Sequence, residues 1–164
     1  MKILFITVAL LVSSSIYCQI FTLDNLISLN GKNYDDFDTY VTKKGYEYFS
    51  TKTDELSESR SYNFKRNGNN DKAEYWIRYF QYYEGKTESK TNISWQTSRR
   101  SDYLTIKNQI KSNGFKLIET GNFEESIYIT YRKGKIEVQL YVGNTENGDG
   151  DMTSYYEINV SKLR

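Results

Sequence analysis

The side chains in this chain that can hold or move a proton are carboxylates, tyrosines, lysines and serines, because none of its 164 residues is histidine. Imidazole is the commonest general base and the commonest transition-metal ligand. Without it a Ser-His-Asp triad, a Cys-His dyad and a His-ligated zinc site cannot be built. The chemistry left is carboxylate chemistry, such as the paired acids of a glycoside hydrolase, and no spacing marks such a pair. Asp35, Asp36 and Asp38 crowd the start of a predicted helix, where carboxylates favour the positive end of the helix dipole; they read as helix-start residues. Asn147-Gly148-Asp149-Gly150-Asp151 resembles the opening of a calcium loop, with oxygen ligands at alternate positions. Met152 stands where an EF-hand needs Gly and Ile158 where it needs Glu, so the segment reads as a hairpin turn. The expectation is a protein that is not an enzyme, with no cofactor and no metal site.

Charge and composition narrow the partners. The 22 Lys+Arg against 21 Asp+Glu leave a formal charge of +1, without the basic excess of a nucleic-acid binder. Aromatics make up 16% of the chain and 16 of them are Tyr, a strand former that buries area while keeping a polar tip. The excess predicts a sheet-rich protein with aromatic groups on its surface. Arg99-Arg100 reads as a solvated linker, and the sequons Asn92-Ile93-Ser94 and Asn159-Val160-Ser161 fall within predicted strands.

The N-terminus reads as an address. Met1-Lys2 precedes the apolar run Ile3–Val12, followed by the more polar Ser13–Gln19, the layout of a secretory signal peptide. The run is shorter than the roughly 20 apolar residues a bilayer span needs. Residues 1–18 are expected to be cleaved after Cys18, giving an exported protein, periplasmic or secreted, with no transmembrane segment in the mature chain. Cys18 also offers a lipid-anchoring site, although Tyr17 stands where a lipobox takes a small residue. As the one Cys of the chain, it leaves no disulfide within the mature protein.

The elements that must position any site come as an internal duplication. Tyr34, Phe37, Val41 and Gly45 match Tyr103, Ile106, Ile110 and Gly114 at an offset of 69. The apolar members recur at the i, i+3, i+7 spacing of a helix stripe, and each Gly stands where a left-handed C-terminal residue ends a helix. Asn33, and Ser101 or Asp102, are the candidate N-caps. Gln81–Glu88 resembles Gln139–Glu146, Ser61–Phe64 parallels Ser126–Ile129, and Ile93–Trp95 parallels Ile158–Val160. Leu23–Leu29, capped by Thr22, reads as a short additional helix. The expected fold is α+β, with two tandem αββββ repeats over 19–100 and 101–164 that form one antiparallel sheet with the helices on one face.

Alternation assigns the faces. Ile136, Val138, Leu140 and Val142 point to the helices, and Glu137, Gln139 and Tyr141 point away. Ile127 and Ile129 put Tyr128 outward; Ile158 and Val160 put Tyr155 outward. Transfer through the duplicated Gln81–Glu88 motif places Phe80 and Tyr82 inside and Tyr79, Gln81 and Tyr83 outside. The candidate binding residues are therefore Tyr79, Gln81, Tyr83, Tyr128, Gln139, Tyr141 and Tyr155, because Tyr offers rigid amphipathic contact area at low entropic cost.

This order of elements in an exported chain resembles the tandem β-lactamase-inhibitor-protein-like architecture. It shares parts of its pattern with single-unit envelope proteins of the BamE/SmpA type and with PepSY-like proteins. The resemblance implies a concave eight-stranded sheet whose exposed aromatics grip a partner protein. Members are usually disulfide-bonded in each half, unlike this chain, and no functional residue is carried over. The expected function is that of an exported, non-enzymatic protein-binding module, an inhibitor or toxin-neutralising immunity protein, whose partner is another exported or envelope protein and not a nucleic acid. The alternatives are a structural accessory of the bacterial envelope, lipid-anchored through Cys18, and a carboxylate-based hydrolase.

Overall fold

The computed structural model describes residues 20–64, 73–84, 87–146 and 152–163. The predicted signal peptide and the turn at 147–151 lie outside the described residues. The elements run α1 (Leu23–Asn30), α2 (Tyr34–Lys43), β1 (Glu47–Thr53), β2 (Ser57–Phe64), β3 (Tyr75–Glu84), β4 (Thr87–Thr97), α3 (Arg100–Ser112), β5 (Lys116–Phe123), β6 (Ser126–Lys133), β7 (Ile136–Glu146) and β8 (Met152–Lys162).

Local chemistry sets the helix ends. Thr22 Oγ1 accepts from the Asn25 amide at 3.2 Å while Asn25 Oδ1 accepts from the Thr22 amide at 3.3 Å, a reciprocal cap on α1. Asn33 Oδ1 accepts from the Asp36 amide at 2.9 Å and caps α2. The expected cap of α3 at Ser101 or Asp102 is not found: the cap position is Arg99, with no side-chain cap bond. Asp102 is drawn inward instead, where its carboxylate accepts from the Tyr75 hydroxyl at 2.9 Å. Gly45 and Gly114 close α2 and α3 at φ +86° and +77°, in the left-handed region that glycine enters without a Cβ penalty. Of the three acids at the start of α2, Asp35 and Asp36 lie in its first turn, whereas Asp38 accepts from the Tyr62 hydroxyl at 2.8 Å.

All eight strands join one antiparallel sheet in the order β1-β2-β3-β4-β8-β7-β6-β5. The seam is the central β4–β8 pair, where Ile93 faces Val160 and Trp95 faces Ile158. One apolar row, Tyr62, Ile77, Trp95, Ile158, Leu140 and Ile129, crosses six strands from β2 to β6. The buried helix residues Leu23, Leu26, Leu29, Phe37, Val41, Ile106 and Ile110 complete the same core cluster, so the three helices share one face of the sheet. Phe37 lies 5.1 Å from the Tyr79 ring, and Tyr103 of α3 lies 4.9 Å from Tyr156 of β8. Each fully buried large apolar side chain contributes about 1.5–3 kcal/mol. The end of α1 is tied to the seam by Asn30, whose amide donates to the Val160 carbonyl at 2.9 Å and the Thr91 carbonyl at 3.1 Å. Among the described residues, no helix is long and apolar enough to cross a membrane.

Candidate functional site

Strand alternation leaves a second set of side chains on the sheet face away from the helices. Three cross-strand rows make up its centre. The first, Ser61, Arg78, Ser94, Asn159, Gln139, Thr130 and Glu119, is polar from one side of the sheet to the other. The second carries Asn63, Trp76, Gln96, Glu157, Tyr141, Tyr128 and Gly121, and the third Ser59, Phe80, Asn92, Ser161, Glu137 and Arg132. A polar stripe thus runs between aromatic flanks.

Of the seven residues expected on this face, Tyr128, Gln139, Tyr141 and Tyr155 are there together. Tyr79 is not: it is 2% exposed in the helix-side core, and its hydroxyl donates to the Lys32 carbonyl at 3.1 Å. Gln81 and Tyr83 follow the parity of Tyr79, and Phe80 and Tyr82, expected inside, lie on the uncovered face. The transferred register has the wrong parity, since Gln139 shares a row with Arg78, three residues from Gln81, and an odd shift exchanges the two faces of the strand. Desolvation decides the strand's orientation. Facing Arg78 inward would bury a charge, whereas Tyr75, Ile77 and Tyr79 fill the core at little cost. Trp76, Arg78, Phe80 and Tyr82 were therefore missed, and the adjacent Ile77-Arg78 pair was the signal that could have found them. Phe49 joins them, its ring 5.0 Å from Trp76 in an edge-on contact. The two rings reach across β2 above Asn63, which explains how a residue of this face comes to be 1% exposed.

The face is ordered by its own contacts. Phe80 and Tyr82 lie parallel, their planes within 13°, and the Arg78 guanidinium lies 5.3 Å from the Phe80 ring while its Nε donates to Ser61 Oγ at 3.1 Å. In the other half the Tyr141 hydroxyl donates to Gln139 Oε1 at 2.7 Å, and Gln139 Nε2 donates to Thr130 Oγ1 at 3.3 Å. Burial raises the Tyr141 hydroxyl above its ordinary pKa, and the negative charges of Glu157 and Glu119 add to the shift. Ser126 Oγ and the Tyr155 hydroxyl share a hydrogen bond of 2.8 Å. Buried carbonyl oxygens of Asn63, Asn92 and Asn159 have no hydrogen-bond partner, an unfavourable state for buried polar atoms unless something is to donate to them.

Two glycines make room for the tyrosines. A Cβ on Gly121 would stand 2.7 Å from the Tyr128 hydroxyl, and one on Gly143 would stand 2.5 Å from Ser126 Oγ and 2.7 Å from the Tyr155 hydroxyl. Gly143→Ala is therefore expected to displace Tyr155, break its bond to Ser126 and cost about 1–2 kcal/mol by overpacking. Urea unfolding checks the cost, and the Tyr155 ring resonances check the displacement; an unshifted Tyr155 spectrum would contradict the packing.

Among the described residues no group of three or more carboxylates or thiols could hold a metal ion. A separate open groove of about 550 Å³ lies between α1, the end of α3 and the β6–β7 turn. Its polar rim is engaged internally, with Lys133 Nζ donating to the Asn113 carbonyl at 2.8 Å and Asn113 Nδ2 to Asp24 Oδ1 at 3.4 Å. The uncovered sheet face is the chemically more varied surface. No protein-family model, curated protein or solved structure matches the chain.

Proposed function

We propose that this protein is an exported, non-catalytic binding module that grips another exported or envelope protein through the uncovered sheet face, as an enzyme inhibitor or a toxin-neutralising immunity protein does. The observation that carries this reading is the composition of that face. Tyr, Ser, Asn and Gly with Trp and Arg anchors is the mixture that recognition surfaces use, rigid amphipathic rings for contact area and small polar groups for adaptable hydrogen bonds. The polar stripe suits a wet interface. The mirrored strand order, β1 to β4 followed by β8 to β5, supports descent from two tandem αββββ repeats.

The test is affinity capture with the purified protein as bait and envelope and culture-supernatant proteins as prey, alongside a W76A/F80A/Y141A variant. The expected result is a partner retained by wild type and bound about a hundredfold or more weakly by the variant, since central aromatic anchors dominate such interfaces. Equal retention by a folded variant moves binding off this face, and no partner with either bait overturns the proposal.

A further inference from the structure

Among the described residues, two carboxylates of the uncovered face have no cation bound to them. Glu157 stands directly across from Tyr141, and Glu119 stands across from Thr130. Glu157 accepts from Ser94 Oγ at 2.8 Å and Glu119 from Thr130 Oγ1 at 3.4 Å; among the described residues neither forms an ion pair. The nearby Glu137 differs, since Arg132 is bound to it at 2.6 Å. The other described cations in and beside these rows are Lys52 on β1, Arg78 on β3, Lys90 on β4 and Lys116 at the start of edge strand β5. Between the two unpaired carboxylates lie the rings of Tyr141 and Tyr128, centroids 6.1 Å apart and tilted by 41°. Tyr155 flanks them, across from Gly143.

We infer that this part of the face, formed by β5 to β8, receives an arginine side chain projecting from a loop of the protein partner, its guanidinium over the Tyr141 and Tyr128 rings with Glu157 and Glu119 as counter-charges. The inference rests on the proposed function, which makes this face a protein interface. Tyrosine faces attract cations, and carboxylates without a counter-ion supply the complementary charge. The tilted rings and separated carboxylates suit a flat, forked guanidinium better than the compact, strongly hydrated lysine ammonium.

The probe is a blocked Gly-Arg-Gly peptide, compared with the same peptide carrying uncharged, isosteric citrulline, titrated into the protein while the ring resonances of Tyr128, Tyr141 and Tyr155 are followed by NMR. The arginine peptide is expected to shift them saturably, with about tenfold weaker binding for citrulline and for the isosteric E119Q/E157Q variant. Equal binding of the two peptides, wild-type binding by the glutamine variant, or no saturable shift with arginine would each overturn the assignment. A protein partner lost by W76A/F80A/Y141A but kept at full strength by E119Q/E157Q would overturn the arginine site and leave the interface standing.

Discussion

Trp95→Ala is expected to cost about 3–5 kcal/mol of folding stability, while Trp76→Ala costs about 1 kcal/mol or less. The two are the only tryptophans of the chain, and they stand on opposite faces of neighbouring strands. Trp95 is 0% exposed at the centre of the six-strand apolar row. Its ring is stacked on Tyr75 at 5.8 Å with planes 9° apart, and it meets Phe21 edge-on at 6.2 Å. Its indole nitrogen donates to the Tyr46 hydroxyl at 3.1 Å. Truncation removes the transfer energy of the indole, opens a cavity beneath α1 and breaks that hydrogen bond together. A domain of this size has only about 5–15 kcal/mol in hand, so the loss takes a large share of it. Trp76 is half-buried, and its removal leaves water in place of a ring. Urea unfolding monitored by circular dichroism separates the two: the Trp95 variant lowers the midpoint strongly at a nearly constant slope. Equal losses in the two variants would mean that the helix side of the sheet has been assigned to the wrong face.

The same contrast marks what could be read in advance. In β7 the aliphatic residues Ile136, Val138, Leu140 and Val142 alternate with polar ones, and only one orientation keeps them from water; the structure agrees. In β3 the run Tyr75-Trp76-Ile77-Arg78-Tyr79-Phe80 is aromatic on both faces, so period-two reasoning has almost nothing to distinguish. Only Ile77 and Arg78 break the tie, and the likeness of Gln81–Glu88 to Gln139–Glu146 points the other way. Tyr79, expected on the surface, is 2% exposed, as buried as Tyr46 and Tyr62, because a partner for the hydroxyl removes the penalty of burying it. Tyr62 donates to Asp38 and Tyr79 to the Lys32 carbonyl, while Tyr46 accepts from Trp95. Those partners come from α2, the loop before it and β4, and distances across the fold are invisible in a linear sequence. The caps at Thr22 and Asn33 were legible because they act within three residues; the inward turn of Asp102 was not, because its partner Tyr75 is 27 residues away.

Asp102→Ala is expected to cost about 2–3 kcal/mol, and Asp102→Asn about half of that, with both changing the alkaline limb of stability. Asp102 is 7% exposed in the first turn of α3. It accepts from the Tyr75 hydroxyl at 2.9 Å and from Ser101 Oγ at 3.2 Å, with Arg99 Nε at 3.9 Å. Alanine leaves the Tyr75 hydroxyl without its acceptor and Arg99 without its buried counter-charge. Asparagine keeps an oxygen for the hydroxyl and loses only the charge, so the gap between the two variants separates hydrogen bond from ion pair. The pH dependence is an independent readout. Burial first, then the hydrogen bond to Asp102, pushes the Tyr75 hydroxyl from its usual 10.0 up to about 12, with Arg99 opposing. A group whose pKa is raised by folding keeps its proton in the native state after the unfolded chain has lost it. Its contribution is thus complete below pH 10.0 and is lost as pH rises towards about 12. Tyr46 and Tyr62 are raised further still, chiefly by burial, so the protein as a whole loses stability in alkali. Removing the Asp102 charge lowers the Tyr75 value while its burial persists, so the variants begin less stable at neutral pH yet fall less steeply above pH 10.0, the usual value of Tyr75. Urea midpoints across that range, with tyrosinate absorbance recorded alongside, test both halves of the expectation. Parallel curves for wild type and variants would show that Asp102 does not hold the Tyr75 proton.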